Sequence, residues 1–252
     1  MSQWHLTLKV QPSLRLDLRS INPSTLAQLS RREIEHLPLP SGNRLAPLGE
    51  WFGVQALDSD QTDLLIEGDL SQVDRIGWQL AAGHVRLQGP VGDYLGAAMT
   101  GGHLTVNGDV GDFAASTLPG SMDGMRGGQL VVHGNAGNRL ADRMRRGTVV
   151  VFGDVGDLLA SRMVAGTVAV AGRCGVHAAW GMRRGSIVFA GPAPRIAPTF
   201  APVDSNADVF WQLLARDLAR FGGAFAGLAQ RRVVRHAGDL AVLGKGELLL
   251  PA

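Results

Sequence analysis

The stretch GDVGDLLASRMVAGTVAVAG, at positions 153–172, contains every feature of a pattern that recurs through the middle of the chain. The pattern is G-x-x-G-x6-M-x-x-G, followed by alternating apolar residues and a closing glycine, and it returns with a period of 19. The opening glycines are Gly89, Gly108, Gly134, Gly153, Gly172 and Gly191. Every spacing is 19 except that from Gly108 to Gly134, which is 26, so one repeat carries a seven-residue insertion.

Each repeat contains one short segment rich in β-branched residues, such as Thr148–Val151 or Thr167–Val170, which predicts a strand. One strand per repeat leaves no second strand for a hairpin, and glycine corners permit positive φ. We therefore predict an all-β fold: a single-stranded parallel, right-handed β-helix with 19-residue coils, capped by mixed α/β terminal segments. The handedness rests on the general rule for parallel crossovers and on the resemblance given below.

The chain divides into three predicted parts. Residues 1–62 lack the repeat and contain two β-like stretches and a helical stretch around Ser24–His36, so we expect a cap over the first coil. Residues 63–192 hold the repeats. Residues 193–252 are expected to form a linker, a helix and one or two terminal strands.

The C-terminal helix is predicted from apolar residues at helical spacing, with Ser205 and Asp208 as a capping pair. The apolar residues are Phe210, Leu213, Leu214, Leu218 and Phe221.

Two columns of apolar residues are predicted to point into the core, because stacked repeats place equivalent residues above one another. The first column is Leu80, Met99, Met125, Met144, Met163 and Met182. The second is Val85, Leu104, Leu130, Val149, Val168 and Ile187. Cys174 shares a third column with small apolar residues, so we predict a core position for it rather than a nucleophile.

Composition excludes several classes of function. Of the 24 basic residues 22 are arginine, yet the net charge is only +2, which argues against nucleic acid as the main partner. The single cysteine excludes an internal disulfide, a four-thiolate zinc site and an iron–sulfur cluster held by this chain alone. The N-terminus has no signal-peptide pattern and no apolar run is long enough to span a membrane, so we expect a cytoplasmic protein.

Acidic and amide side chains form two columns beside the glycine corners. They are Asp93, Asp112, Asn138 and Asp157, and Asp109, Asn135 and Asp154. Two acids about 5 Å apart could cleave a glycosidic bond. However, Asp and Asn also suit turns, where their side chains accept hydrogen bonds from nearby backbone N–H groups, and we favour this structural role.

The histidines do not predict a metal centre. His84 and His103 share a column that continues with other polar residues, and a metal would need a third ligand from elsewhere. No Ser-His-Asp arrangement, phosphate loop or dinucleotide fingerprint is visible. We expect neither catalytic residues nor a metal on this chain.

Arginine is the informative polar residue. Seven guanidinium groups are predicted to gather along one edge of the repeats: Arg126, Arg143, Arg145, Arg146, Arg162, Arg183 and Arg184. The edge could be a solvated corner or could form salt bridges to a neighbouring subunit. It could also be a track for an anionic ligand, because rows of guanidinium groups match repeated carboxylates with bidentate hydrogen bonds.

The repeat at positions 153–172 resembles the C subunit of formylmethanofuran dehydrogenase. The segment IEHLPLPSGNRLAPLGEWFGV, at positions 34–54, also resembles that family's lead-in to its first coil, and together the similarity covers residues 34–192. The glycine repeat is similar to the C-terminal β-helix of glutamate synthase as well. The lead-in, the length and the lone domain favour the first family.

The resemblance implies a one-carbon enzyme complex in which this chain lies beside an amidohydrolase-like A subunit, a B subunit and a formyltransferase D subunit. Two complexes share the family: an archaeal molybdenum or tungsten dehydrogenase and the bacterial formyltransferase/hydrolase complex. A composition rich in Arg, Ala and Gly is typical of a GC-rich genome and favours the C (gamma) subunit of the bacterial complex.

The implied role is structural and cofactor-positioning rather than catalytic, in the oxidation of formaldehyde to formate on tetrahydromethanopterin and methanofuran-type carriers. The implied cofactor is a polyglutamylated, methanofuran-like carrier (methylofuran) held by the complex, and we expect the arginine edge to bind its polyglutamyl tail. The alternatives are the C subunit of the dehydrogenase, a glutamate-synthase-like spacer and a carbohydrate-active β-helix enzyme. The last would need exposed carboxylates and aromatic residues on one strand face, which the sequence lacks.

Overall fold

The computed structural model describes residues 3–203 and 208–252. Within them the strands are β1 (Gln3–Leu8), β2 (Leu16–Asp17), β3 (Pro38–Ser41), β4 (Arg44–Pro47), β5 (Phe52–Leu57), β6 (Leu64–Glu67), β7 (Val73–Asp74), β8 (His84–Gln88), β9 (Thr100–Asn107), β10 (Arg126–Val132), β11 (Arg146–Val151), β12 (Thr167–Val170), β13 (Ser186–Phe189), β14 (Ala201–Pro202), β15 (Val233–Gly238) and β16 (Gly246–Pro251). The α-helices are α1 (Pro23–Leu26), α2 (Arg31–Glu35) and α3 (Asp208–Ala219).

The strands form two sheets. The larger has 12 strands in the order β14-β15-β16-β13-β12-β11-β10-β9-β8-β6-β1-β5, and the smaller has four in the order β4-β3-β2-β7. In the larger sheet the strands of the repeats pair in parallel, whereas β1 with β5, β15 with β16 and β14 with β15 are antiparallel.

The predicted fold class, an all-β single-stranded parallel β-helix with 19-residue coils, is wrong. The chain forms a mixed 12-stranded sheet with a separate four-stranded sheet, and strands from both termini enter the larger sheet. The physical reason is that a row of parallel strands has unpaired backbone groups at both edges, which must be satisfied. Segments without the repeat supply these partners: β1 pairs with β6 at one edge, and β16 pairs with β13 at the other.

The register predicted from the repeats is confirmed in the strand pairing. His84 pairs with His103 and Thr148 with Thr167, and each partner lies 19 residues further along the chain. The pairing of β9 with β10 spans the longer interval expected from the insertion, since His103 pairs with Gln129. Isolated parallel bridges form a second row, and three of the five, including Val155 to Cys174, have the 19-residue period. The repeat therefore determines which segments are neighbours, although not the overall architecture.

Both predicted inward columns are buried. The methionine column, from Leu80 to Met182, and the column from Val85 to Ile187 all belong to one continuous core. Cys174 packs at the edge of the same core, as predicted, and burial raises the pKa of its thiol to about 12. Such a thiol stays protonated near neutral pH, which agrees with a packing role.

Helix α3 covers the other face of the sheet, where Val150, Ala169 and Val188 form a second core with Trp211 and other residues. The predicted helix is therefore present, but its predicted buried face is only partly correct, because Phe210 and Leu213 are exposed. Ser205 of the predicted capping pair lies outside the described residues, as does the side chain of Asp208.

The N-terminal segment folds more irregularly than expected. The single helical stretch predicted around Ser24–His36 is two short helices, α1 and α2, and α2 begins with a capping box between Ser30 and Glu33. The predicted C-terminal strand is β16, which packs back onto β13 of the same chain. In the described part of the chain no helix is long and apolar enough to cross a membrane.

Candidate functional site

One cavity at the start of strands β10 and β11 is dominated by arginine. We call it the arginine cavity; it encloses about 580 Å³. Its lining residues are Asp123, Arg126, Arg145, Arg146, Val164, Ala165, Arg183 and Arg184. The structure therefore brings five of the seven predicted arginines together around one space.

The register between β10 and β11 determines which arginines are neighbours at the start of these strands. Arg126 opens β10 and Arg146 opens β11, and the two are direct partners across the parallel pair. Sequence spacing would have placed Arg126 beside Arg145, which lies one period further on. A register shift between Arg126 and Gln129 moves the pairing by one position, so Arg146 is the neighbour instead.

The cavity exists because two small residues interrupt the arginine rows. Val164 and Ala165 stand one repeat after Arg145 and Arg146 and one repeat before Arg183 and Arg184. The backbone N–H of Val164 donates to the Met144 carbonyl at 2.8 Å, the equivalent of the bond from Arg145 to Met125. The backbones of the pair Arg145–Arg146 and of the pair Arg183–Arg184 therefore lie two strand spacings apart, about 10 Å, and Val164 and Ala165 between them form the floor of the cavity.

The charges of the cavity are poorly compensated. Arg145 pairs with Asp123, at 2.5 Å between Nε and Oδ1, and both side chains are partly exposed. Within the described residues, none of Arg126, Arg146, Arg183 and Arg184 has a carboxylate within ion-pair distance. Four guanidinium groups without a described carboxylate partner around one concave space are suited to binding an anion.

A second cavity of about 490 Å³ adjoins the first and shares Arg145, Val164 and Arg183 with it. We call it the apolar cavity. Its other lining residues are Met122, Arg143, Arg162, Trp180, Gly181, Asp239, Ala241 and Val242. The two remaining predicted arginines, Arg143 and Arg162, are thus found here and not in the arginine cavity.

Arg162 is fixed by a buried carboxylate. Its Nε and Nη2 atoms donate to Asp142 at 3.0–3.2 Å, and the Asp142 side chain is only 4% exposed. The Ser161 hydroxyl donates to the same carboxylate. The guanidinium also lies over the Trp180 ring, 5.9 Å from its centroid. Arg162 is therefore a structural residue that orients Trp180 rather than a free cation.

Arg143 and Arg162 both adopt a left-handed backbone, with φ of 56° and 55°. Most side chains disfavour this region, which Gly181 occupies one repeat later at φ 70°. The backbone N–H groups of Arg143 and Arg162 donate to the carbonyls of Ser161 and Trp180 at 2.9 and 2.7 Å, so stacking of the repeats holds this conformation.

Several lining residues were missed by sequence reasoning. Asp123 and Met122 belong to the seven-residue insertion, which was visible as a change of spacing. Val164 and Ala165 were visible as gaps in the arginine columns. Residues 239–242 lie in the C-terminal hairpin, which is formed by β15, β16 and the connection between them, and no local sequence pattern indicates that they contact the repeats.

The acidic columns have the structural role that was predicted for them. The Asp112 backbone N–H donates to Asp93 Oδ1 at 2.9 Å, and that of Asn138 donates to Asp112 Oδ1 at 2.7 Å. The second column does the same, since the Asp154 N–H donates to Asn135 Oδ1 at 2.8 Å. Each side chain thus bonds the next repeat, which ties neighbouring repeats together.

The predicted stacking of His84 on His103 is confirmed, with ring centroids 4.6 Å apart and an angle of 9° between the planes. Burial lowers the pKa of His103, and the nearby charges of His84 and Arg220 add to this effect. Among the described residues no group of three or more His, Cys, Asp or Glu side chains is placed to hold a metal ion.

Comparisons with known proteins identify the family. Residues 42–199 match the family model described as the GXGXG motif. Over 98% of its length the chain is 39% identical to the C subunit of the formyltransferase/hydrolase complex Fhc of Methylorubrum extorquens, of which the match covers 99%. The chain belongs to the family of formyltransferase/hydrolase C subunits.

A solved structure supports this membership in three dimensions. The X-ray crystal structure of the formyltransferase/hydrolase complex (FhcABCD) from Methylorubrum extorquens, in complex with methylofuran, contains a chain that aligns with a TM-score of 0.84. That alignment has 37% identity and covers 98% of this chain and 99% of the other. The family's fold therefore extends over almost the whole chain, including both non-repeating ends.

The C subunits of dehydrogenases are also related to this family. That of the tungsten-containing formylmethanofuran dehydrogenase 2 of Methanothermobacter wolfeii is 34% identical over 100 residues. That match spans 38% of this chain and 37% of the dehydrogenase chain. The resemblance inferred from the repeat and its lead-in is therefore confirmed.

Proposed function

We propose that this chain is a structural and cofactor-positioning subunit of a formyltransferase/hydrolase complex. The observation that carries the proposal is the arginine cavity, where Arg126, Arg146, Arg183 and Arg184 lack carboxylate partners among the described residues. The Methylorubrum relative, similar over its whole length, belongs to a complex crystallised with methylofuran. In this proposal the other chains carry out the formyl chemistry.

The ligand of the arginine cavity is proposed to be the polyglutamyl tail of a methylofuran-type carrier. Carboxylates repeated along a chain can each accept bidentate hydrogen bonds from a guanidinium group. The rows of Arg145 with Arg146 and Arg183 with Arg184 would hold carboxylates on either side of the Val164–Ala165 floor. Arg143 and Arg162, which lie beside Asp142, are assigned a supporting part rather than direct tail binding.

The proposed partners are an amidohydrolase-like A subunit, a B subunit and a formyltransferase D subunit. A place in a tungsten or molybdenum dehydrogenase is the second candidate, which the 34% identity to the tungsten enzyme's C subunit favours. The hydrolytic complex is preferred because its relative matches both termini, whereas the tungsten match covers 38% of this chain.

The test is cofactor retention by the purified complex. The double variant Arg146→Ala/Arg184→Ala removes one cation from each row, and the complex is isolated at about 150 mM salt. Because hydrogen bonds to charged groups contribute about 1.5–3 kcal/mol each, we expect at least a tenfold loss of bound methylofuran by mass spectrometry. The loss should deepen as salt is raised.

Two further variants make the result specific. Ala165→Glu keeps every arginine but puts a carboxylate on the floor of the cavity, so it should also displace the tail. Arg216→Ala on α3 removes an exposed arginine that lines neither cavity and should leave retention unchanged. Full retention of methylofuran in both cavity variants would refute tail binding, and isolation of the chain without partners would refute the complex.

A further inference from the structure

The connection between β15 and β16 has an unusual composition for an exposed turn. Its sequence at positions 240–243 is Leu-Ala-Val-Leu, and three of these side chains, Leu240, Val242 and Leu243, are exposed. Connections between antiparallel strands are normally built from Gly, Asn, Asp, Pro and Ser. Leu243 is 88% exposed and has a left-handed backbone with φ 54°, a conformation that a bulky residue disfavours.

This turn is held firmly against the repeats. The Asp239 carboxylate accepts hydrogen bonds from the backbone N–H groups of Gly181 and Ala241, both at 3.0 Å. The Lys245 N–H donates to the Arg183 carbonyl at 2.7 Å. The exposed apolar side chains are thus presented in a fixed position rather than on a loose loop.

More apolar surface lies next to the turn. Met122 and Trp180 are 70% and 55% exposed, and both line the apolar cavity together with Val242. We call these residues the apolar lip: Met122, Trp180, Leu240, Val242 and Leu243. Adjacent exposed side chains of this size mark an interaction surface, since a soluble protein rarely leaves them open to water.

The charge around the apolar lip restricts what can cover it. The apolar cavity is lined by Arg143, Arg145, Arg162 and Arg183. Arg143 and Arg162 share the carboxylate of Asp142, and Arg145 pairs with Asp123, so among the described residues Arg183 is the lining arginine without a carboxylate partner. Among the described residues that line it, Asp239 is the acidic one, and its carboxylate is satisfied by backbone N–H groups. A complementary surface would present apolar side chains flanked by carboxylates.

We infer that the apolar lip is a docking surface for an acidic, apolar segment of another subunit of the complex. The segment buries apolar side chains against Trp180, Val242 and Leu243, and a carboxylate of the segment faces Arg183, which has no carboxylate partner among the described residues. Since the two cavities share Arg145 and Arg183, the docked segment also closes one side of the arginine cavity. The inference rests on the proposed function for the existence of partner subunits.

The test uses the chain co-expressed with the other subunits of its complex. Leu243→Gly removes the side chain and suits the left-handed backbone, so it should not destabilise the fold. Val242→Asp adds a charge that repels an acidic segment. We expect both variants to recover at least tenfold less partner subunit on affinity purification. Leu45→Asp, on edge strand β4 and equally apolar and exposed, is the control and should behave as wild type.

Cross-linking identifies the occupant. A benzoylphenylalanine at position 240 should cross-link to a partner peptide that contains apolar residues flanked by Asp or Glu. Unchanged recovery of partners in both variants, or a cross-linked peptide rich in Lys and Arg, would overturn the inference. Loss of methylofuran with full partner recovery would also overturn it, because the lip would then be a small-molecule site. Wild-type chain purified alone would instead refute the proposed function.

Discussion

Replacing Asp142 by Asn should destabilise the chain measurably, because this carboxylate is the buried partner of Arg162. Asn has the same shape but no charge, so the bidentate ion pair at 3.0 Å is lost while one acceptor oxygen remains for Ser161. The substitution therefore isolates the contribution of the charge.

The magnitude follows from the exposure of the two partners. Breaking a fully buried ion pair costs about 3–5 kcal/mol, whereas an exposed pair contributes about 0–1 kcal/mol. The Asp142 side chain is nearly inaccessible, but Arg162 is about one-third exposed and can be rehydrated by water. We therefore expect the free energy of unfolding to fall by about 2 kcal/mol. For a protein of this size that lowers Tm by about 4–8 °C.

The assay is urea and thermal unfolding followed by circular dichroism, with Asp123→Asn as the matched control. Asp123 pairs with Arg145 on the surface, with side chains 37% and 46% exposed, so its loss should cost at most about 0.5 kcal/mol. Equal effects of the two substitutions, or no change for Asp142→Asn, would refute the distinction drawn between the buried ion pair of Arg162 and the exposed ion pair of Arg145.

Three further predictions concern other parts of the fold. Gly153→Ala should prevent normal folding, because the added Cβ would lie 2.5 Å from the Gly134 carbonyl oxygen of the preceding repeat. Gly227→Ala is the control, since the nearest atom to its Cβ is 4.0 Å away, and it should be tolerated. The two variants are compared by their solubility and their unfolding curves. Cys174, with its pKa raised to about 12 against 9.0, should react with iodoacetamide at pH 8 about a thousandfold more slowly in the folded chain than after unfolding. Because the pKa of His103 in the folded chain lies below its ordinary value of 6.5, the unfolded chain takes up this proton first, so the free energy of unfolding should decline as the pH falls below 6.5. Replacing His84 by Gln should raise the titration midpoint of His103 measured by NMR, and an unchanged midpoint would contradict the coupling of the two histidines.

The repeat allowed much of the site to be predicted. A strict period of 19 places equivalent residues on neighbouring strands, so the buried methionine column and the gathering of five arginines followed from spacing alone. The shift by one position that pairs Arg126 with Arg146 could not be predicted, because it arises from a bulge beside the seven-residue insertion. A period describes regular repeats and carries no information about how an irregular one is accommodated.

The orientation of α3 illustrates a different limit. Helical spacing predicted a buried face that included Phe210, Leu213 and Leu218. Leu218 packs against the sheet as predicted, but Phe210 and Leu213 are exposed, and Trp211 and Ala215 take part in the buried face. Apolar residues occupy more than one side of this helix, so local periodicity permits several rotations. The outer sheet residues, such as Val150 and Ala169, determine which side is buried, and they lie far away in sequence.

The sequence by itself determined the neighbours of each repeat, the inward columns and the excess of guanidinium groups along one edge, since these depend on a local pattern repeated at a constant interval. Only the tertiary structure decided the mixed 12-stranded sheet, the pairing of Arg162 with Asp142 and the position of the C-terminal hairpin beside Trp180. These features join segments far apart in the chain or depend on which neighbours lie close enough in space to bond. The partner of an unpaired strand edge, of a buried charge or of an apolar surface is the group that the whole fold places next to it, so no single segment of sequence specifies that partner.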